Sequence, residues 1–203
     1  MTGNKKLNQQ PLIWLGAFVL ILSLLGCENL FKPPTTKSPT YSVKRVSDGD
    51  TLAVTDSSGN NFNVRFACMD APEIPHSTAE KNSKKSLDKN QFKWGVQAQQ
   101  RLQKLVEQGG DRVALTVTDT DRYGRKVSEV RLPNGTLAQE VLIRDGLAMV
   151  YTPYLKNCPS ASIVQQAEAE AKQARRGVWG DSNFVPAWEF RKEQRQAKSK
   201  AVR

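Results

Sequence analysis

Between Tyr41 and Pro72 turn-forming residues cut the chain into short apolar pieces, and this punctuation constrains the fold more than any other feature. Tyr41-Ser-Val-Lys-Arg-Val46 is followed by Ser47-Asp-Gly-Asp50. Thr51-Leu-Ala-Val54 is followed by Ser58-Gly-Asn60, and residues 62–69 by Asp70-Ala-Pro72. Pieces of four to eight residues bounded by Gly, Asp and Asn read as strands joined by tight turns. Pro72 has no N–H for a sheet ladder and should stop the third strand.

The remainder alternates between the two periodicities. Residues 74–93 are polar, with Lys81, Lys84, Lys85, Lys89 and Lys93, and read as a long exposed, solvated loop. Ala98, Leu102, Leu105 and Val106 recur at helical spacing until Gly109-Gly110. Strands are expected at 112–118 and 126–132, separated by a polar loop at 119–125. Pro133-Asn-Gly135 then turns the chain into a short helix at 137–144, ended by Gly146, and a short extended piece follows at 147–151. Ser162-Ile-Val-Gln165 has the form of a capping box, opening a helix with Ile163, Ala167, Ala171 and Ala174 on one face. The expectation is an α+β fold: a five-stranded OB-type Greek-key β-barrel with about three helices. From pattern alone, a generic α+β domain fits equally.

The N-terminus reads as an address rather than a core element. Lys5 and Lys6 precede an apolar run at 12–25, shorter than the ~20 residues that span a bilayer and suited to a signal peptide. It ends Leu24-Leu-Gly-Cys27, which resembles a bacterial lipobox, so Cys27 is the expected lipid anchor. An ordinary signal peptide or an uncleaved anchor is the alternative. The division expected is a signal peptide at 1–26, a Pro/Thr/Ser-rich tether at 27–40, one domain at 41–191 and a basic tail at 192–203. The protein would be exported to the cell envelope and held at a membrane. Net charge is +10 overall, and residues 41–203 keep 26 bases against 19 acids, or +7. That balance suits a polyanionic partner, although surplus lysine also serves solubility. With Cys27 assigned to the anchor, Cys68 and Cys158 remain as a candidate disulfide pair, with two buried thiols as the alternative.

Acids and arginines gather at strand ends: Asp48 and Asp50, Arg65, Asp70 and Glu73, and Asp121 to Arg125. Hard cations such as Ca²⁺ take carboxylate, carbonyl and water oxygens. Phosphodiester hydrolysis needs a water, a base for its proton, and positive charge on the phosphate. Arginine's fork matches phosphate oxygens and keeps its proton. Each piece alone is ordinary turn chemistry. His76, the only histidine, reads as an exposed loop residue, which leaves no histidine-based metal site.

Together the pieces are more specific. Asp48-Gly-Asp-Thr51, Val64-Arg-Phe-Ala-Cys-Met-Asp-Ala-Pro-Glu73, Asp121-Arg-Tyr-Gly-Arg125 and Gly146-Leu-Ala148 occur in this order. Ala171-Lys-Gln-Ala-Arg-Arg-Gly-Val-Trp179 and Pro186-Ala-Trp-Glu-Phe-Arg191 follow them. This set resembles the staphylococcal nuclease (thermonuclease) family over about residues 41–191. The resemblance implies an OB-type barrel and a Ca²⁺-dependent endonuclease acting on DNA and RNA. It implies Asp50, Asp70 and the Ala71 carbonyl as metal ligands, with Asp48 behind them. Glu73 would position or deprotonate the attacking water, and Arg65 and Arg125 would bind phosphate. Tyr123 resembles a nucleotide-phosphate contact; Tyr151 and Tyr154 loosely match the aromatic substrate contacts. A monomer is expected. Two rival readings stay open: a non-catalytic nucleic-acid-binding OB module, and a structural envelope lipoprotein. Convergence of the acids and arginines in one cleft separates the second rival from an enzyme.

Overall fold

The computed structural model describes residues 40–201. Cys27, the apolar run before it and the expected tether up to residue 39 lie outside the described residues. Five strands close into a barrel: β1 (Thr40–Val46), β2 (Thr51–Thr55), β3 (Asn61–Phe66), β5 (Arg112–Thr120) and β6 (Lys126–Arg131), in the order β1-β2-β3-β6-β5. β3 and β6 run parallel, and the other neighbours are antiparallel. This is the five-stranded OB-type barrel read from the punctuation of the sequence.

Alternation fills the barrel. Leu52 and Val54 of β2, Val64 and Phe66 of β3, Val113 of β5 and Val130 of β6 point inward and are fully or nearly buried. Helix α2 (Ser86–Gln108) plugs one side with Ala98, Leu102, Leu105 and Val106, and α3 (Ala138–Arg144) adds Leu142 and Ile143. Burying each such Leu or Ile is worth about 1.5–3 kcal/mol against leaving it in water.

A second, two-stranded sheet carries the functional edge. After Phe66 the chain turns at Cys68, whose φ of 72° is unusual for a side chain with a Cβ. The turn lets β4 (Met69–Asp70) leave the barrel and pair antiparallel with β7 (Met149–Val150). Cys68 is joined to Cys158 across 90 positions.

Three expectations need correction. Residues 74–93 are not a long loop. Ser77 and Glu80 form a capping box on α1 (Thr78–Lys81), and α2 has already begun at Ser86. The early turns of α2 hide from a hydrophobic count because their buried positions include the polar Asp88 and Gln91. Asp88 accepts from Ser83 Oγ at 2.6 Å and from Gln194 Nε2 at 2.9 Å. Ser162 caps nothing: α4 (Ala161–Gln173) starts after Ser160, whose hydroxyl instead donates to the buried Glu129 at 2.9 Å. The buried face of α4 is Val164, Ala167 and Ala171, with Ile163 at the surface. Residues 192–200 are not a separate tail; they continue α5 (Ala187–Ala201).

Candidate active site

The register places the acids against the arginine. Thr51 stands opposite Arg65 in the β2–β3 ladder, and Phe66 N–H donates to the Asp50 carbonyl at 2.8 Å. Asp50 and Arg65 therefore meet where those strands end, and Arg65 Nη1 pairs with Asp50 Oδ1. Its other nitrogen, Nη2, pairs with Asp70 Oδ1. Asp50 Oδ2 accepts the Ala71 N–H at 2.8 Å, and Asp50 N–H donates to Asp48 Oδ1 at 2.9 Å. Asp48, Asp50, Arg65, Asp70 and Ala71 thus form one knot.

Two close approaches by α2 hold the knot. A Cβ on Gly49 would lie 2.6 Å from Ala98 Cβ and 2.8 Å from Ala71 Cβ. One on Gly95 would lie 2.0 Å from the Glu73 carbonyl oxygen. Only glycine lets the helix touch the Asp48–Asp50 turn and the Pro72–Glu73 backbone. The buried Gln91 adds a clamp. With its amide oriented to satisfy both ends, it accepts from Glu73 N–H at 3.1 Å and donates to the Val185 carbonyl at 2.9 Å.

Glu73 is held by a residue to which the sequence assigned no role. Arg191 of α5 donates from Nη1 to Glu73 Oε1 at 2.6 Å, and from Nη2 to Asp70 Oδ2 at 2.7 Å. Nη1 also reaches Asp70 Oδ1 at 3.3 Å. Glu73 Oε2 stands clear of this fork, 4.0 Å from His76 Nε2. Arg191 closes the motif Pro186-Ala-Trp-Glu-Phe-Arg191, so the signal was in the sequence. Its partners lie well over 100 positions away, which no local pattern reveals.

Burial pushes the Asp50 carboxyl well above the usual carboxylate range. Asp48 and Asp70 add to the rise, while Arg65 and the Ala71 N–H oppose it. Burial would lower the Arg65 pKa, but the charges of Asp50, Asp70 and Asp48 outweigh it and hold the pKa raised. Arg191 is also raised: burial is outweighed by its hydrogen bonds to Asp70 and Glu73 and by their charges. Four carboxylates here (Asp48, Asp50, Asp70, Glu73) face two guanidiniums (Arg65, Arg191).

The knot opens into a cleft of about 900 Å³ whose walls include Asp48, Arg65, Asp70, Glu73, Tyr123 and Arg125. Arg125 reaches it through parallel pairing: β6 begins one residue after Arg125, and Val127 lies opposite Arg65. Arg125 Nε donates to Asp121 Oδ2 at 2.7 Å, and its two terminal nitrogens make no hydrogen bond among the described residues. Burial would raise Asp121, but the Arg125 side-chain bond and backbone N–H bonds hold its pKa low. Tyr123 projects into solvent with the Arg122 and Arg125 guanidiniums 4.9 and 5.6 Å from its ring. Part of the lining is aromatic: Tyr151 lies 5.5 Å from Tyr154 and 5.6 Å from Trp188, ring to ring. The structure therefore brings Asp48, Asp50, Arg65, Asp70, Ala71 and Glu73 together, and sets Arg125, Tyr123, Tyr151 and Tyr154 around the same cleft. Trp188, Arg191 and Gln91 are the participants that sequence reasoning missed.

Cys68 also lines the cleft and is bridged to Cys158. Glu129 is buried beside their bridge, accepting from Ser160 N–H at 2.6 Å. Among the described residues this is the one trio of acids or thiols close enough to share an ion, but its sulfurs are bonded to each other. The Cys68 carbonyl accepts the Tyr151 N–H at 2.9 Å, so the bridge backs the aromatic wall.

The family profile described as "Staphylococcal nuclease homologue" matches residues 63–181. A protein of Escherichia coli O157:H7 named "Uncharacterized endonuclease" is 34% identical over 149 residues, covering 73% of this chain and 82% of that protein. A "Micrococcal nuclease" of Shigella flexneri is 29% identical over 163 residues, 76% of this chain and 82% of that protein. The "Staphylococcal-like nuclease CAN1" of Arabidopsis thaliana is 34% identical over 134 residues, 66% of this chain and 34% of the longer plant protein.

Proposed function

The chain belongs to the family of staphylococcal nuclease homologues, and from that premise we propose that it is a Ca²⁺-dependent endonuclease hydrolysing DNA and RNA in the cleft between Glu73 and Arg125. The observation that carries this reading is the charge balance of the knot. Four carboxylates share two guanidiniums, and burial together with Asp48 and Asp70 raises the Asp50 pKa. The residues fit a hard divalent cation, because the donors are buried oxygens with unbalanced negative charge. Asp50, Asp70 and the Ala71 carbonyl would hold it. Bound there, Ca²⁺ supplies the positive charge that balances the acids and the phosphate.

The protein's own groups do the rest. Arg65 spends both terminal nitrogens on Asp50 and Asp70; once those acids are neutralised, its fork is free for a phosphate oxygen. Arg125 presents terminal nitrogens with no hydrogen bond among the described residues, with Nε fixed by Asp121. The two guanidiniums stabilise the extra charge as the phosphorus becomes five-coordinate. Glu73 has one oxygen fixed by Arg191 and the other clear of it, the arrangement needed to orient a water and accept its proton. Water attacks phosphorus as its proton passes to Glu73, the bond from phosphorus to one sugar oxygen breaks, that oxygen takes up a proton from solvent water, and the strand is cut. Tyr123 contacts a flanking phosphate, and Tyr151 lies in the aromatic wall beneath the substrate.

Export and lipid anchoring at Cys27 belong to the same reading and rest on residues 5–27 of the sequence. A Cys27→Ser chain should lose membrane attachment; equal attachment would remove this part of the proposal. The enzyme reading is tested by zymograms on DNA and RNA with Ca²⁺ and with a chelator. Clearing of both polymers only with Ca²⁺ is expected. Binding without cutting would turn the assignment to a non-catalytic module.

A further inference from the structure

Helix α5 enters the cleft with Trp188 and Arg191 and then runs on to Ala201. Its first turns are firmly seated. Phe190 is buried and packs edge-on against Phe92, with ring centroids 5.9 Å apart. Trp188 lies against Tyr151, and Arg191 is tied to Asp70 and Glu73. The later turns continue from this seat and are exposed among the described residues.

At about 100° per residue, Trp188, Arg191, Arg195 and Lys198 fall within one sector about 80° wide. Glu189 and Glu193 fall on the other side of the helix, where Glu189 pairs with Lys192 at 3.6 Å. Arg195 and Lys198 are exposed and make no salt bridge among the described residues. Arg195 lines the cleft itself. A helix stabilised by its own ion pairs would intersperse the two signs along each face. Here Lys192 and Lys200 share the acidic side, while the sector that continues from Trp188 and Arg191 carries only the cations Arg195 and Lys198. Arg195 and Lys198 lie about 6 and about 10 Å beyond Arg191 along the axis, at 1.5 Å per residue.

We propose that the Arg195–Lys198 face of α5 is a second binding site, which takes the phosphate backbone of a single-stranded polynucleotide outside the bond being cut. The inference rests on the nuclease reading of the cleft and adds a preference for polymer over short fragments. Arg195 and Lys198 would each meet a phosphate of the strand leaving the cleft, and neither would touch the reacting atoms.

The test measures binding rather than cleavage, so it stands apart from the nuclease reading. The full chain is titrated with a fluorescent single-stranded oligodeoxynucleotide in chelator over a range of salt. Each backbone contact on a single strand contributes about 0.7 to the slope of log affinity against log salt. Arg195→Gln/Lys198→Gln should weaken binding at low salt by at least about tenfold and reduce that slope by about 1.4. Lys104→Gln/Lys200→Gln removes the same charge from exposed positions off this face and should leave the slope unchanged. Equal losses in the two double variants would overturn the proposal, since net charge alone would then be acting. Unchanged DNA binding by the first variant would overturn it too. So would a loss confined to vesicles of anionic phospholipid, which would assign the face to a membrane. A wild-type chain that shows the expected binding but cuts nothing would remove the nuclease reading and leave this site standing.

Discussion

Arg191 Nη1 donates to Glu73 Oε1 at 2.6 Å while its Nη2 holds Asp70 Oδ2 at 2.7 Å. One guanidinium thus fixes the proposed base and a proposed metal ligand relative to each other. The planar fork can do this because its nitrogens diverge at a set angle; an ammonium is a single point. Arg191→Ala should lower turnover by about 10²-fold, the scale of a misplaced catalytic group. Arg191→Lys should recover little of that, and guanidinium ion added to the Ala variant should restore part. Single-turnover rates for the three proteins decide it; a fully active Lys variant would reduce Arg191 to a charge.

Glu73→Gln keeps size and polarity but removes basicity. Hydrolysis should fall by about 10²–10⁴-fold. Affinity for nucleic acid should survive, because cationic side chains supply it. The check is to measure rate and binding constant on the same protein at fixed salt, where near-normal hydrolysis would move the base elsewhere.

Gly95→Ala tests whether α2 positions the site. The added methyl would sit 2.0 Å from the Glu73 carbonyl oxygen, so helix or Glu73 backbone must move. Such overpacking costs about 1–3 kcal/mol or more. Denaturant melts should show that loss, accompanied by a fall in activity larger than the unfolded fraction explains.

The bridge between Cys68 and Cys158 closes a separation of 90 residues. In the chain-entropy model such a loop is worth up to about 4–5 kcal/mol. Cys68→Ser/Cys158→Ser should therefore unfold at markedly lower denaturant than the oxidised protein. Coincident curves would leave the bridge no stabilising role.

Asp181 supplies a pH signature away from the cleft. It accepts from Trp94 Nε1 at 2.8 Å and Asn90 Nδ2 at 2.9 Å, tying α2 to the segment before α5. The Trp94 bond is the largest influence and lowers its pKa; burial, next in size, opposes it, and Asn90, the Asn183 N–H and Lys93 add to the lowering. A depressed folded pKa contributes stability above the unfolded value of about 3.9 and loses it as pH falls through the folded value. Asp181→Asn should thus cost stability at pH 7, and the difference from wild type should shrink below about pH 4. A constant difference across that range would contradict the assignment.

Much of this architecture could be read without coordinates because the signals were local. The Ser47–Asp50 and Ser58–Asn60 turns, the stop at Pro72 and the alternation in β5 and β6 each act within a few residues. The acids and arginines were legible for the same reason, since each sits beside a turn that the backbone requires. What stayed hidden depends on tertiary partners. The first turns of α2 bury Asp88 and Gln91, whose polar groups are satisfied by Ser83, Gln194, Val185 and Glu73. Ser160 gives its hydroxyl to Glu129 rather than to its own helix, so the capping signal at Ser162 misled. Arg191 looked like part of a terminal motif because its two carboxylates arrive from the far end of the domain.

In the proposed reaction Asp50 and Asp70 hold a calcium ion with which the cleft hydrolyses phosphodiesters. The most direct measurement is the single-turnover hydrolysis rate of a labelled DNA strand as Ca²⁺ is titrated, for wild type and for Asp50→Asn. Removing one ligand charge should raise the Ca²⁺ needed for half-maximal rate, and excess Ca²⁺ should partly restore the variant. Wild-type hydrolysis that persists in excess chelator, or superimposable Ca²⁺ curves for the two proteins, would contradict it.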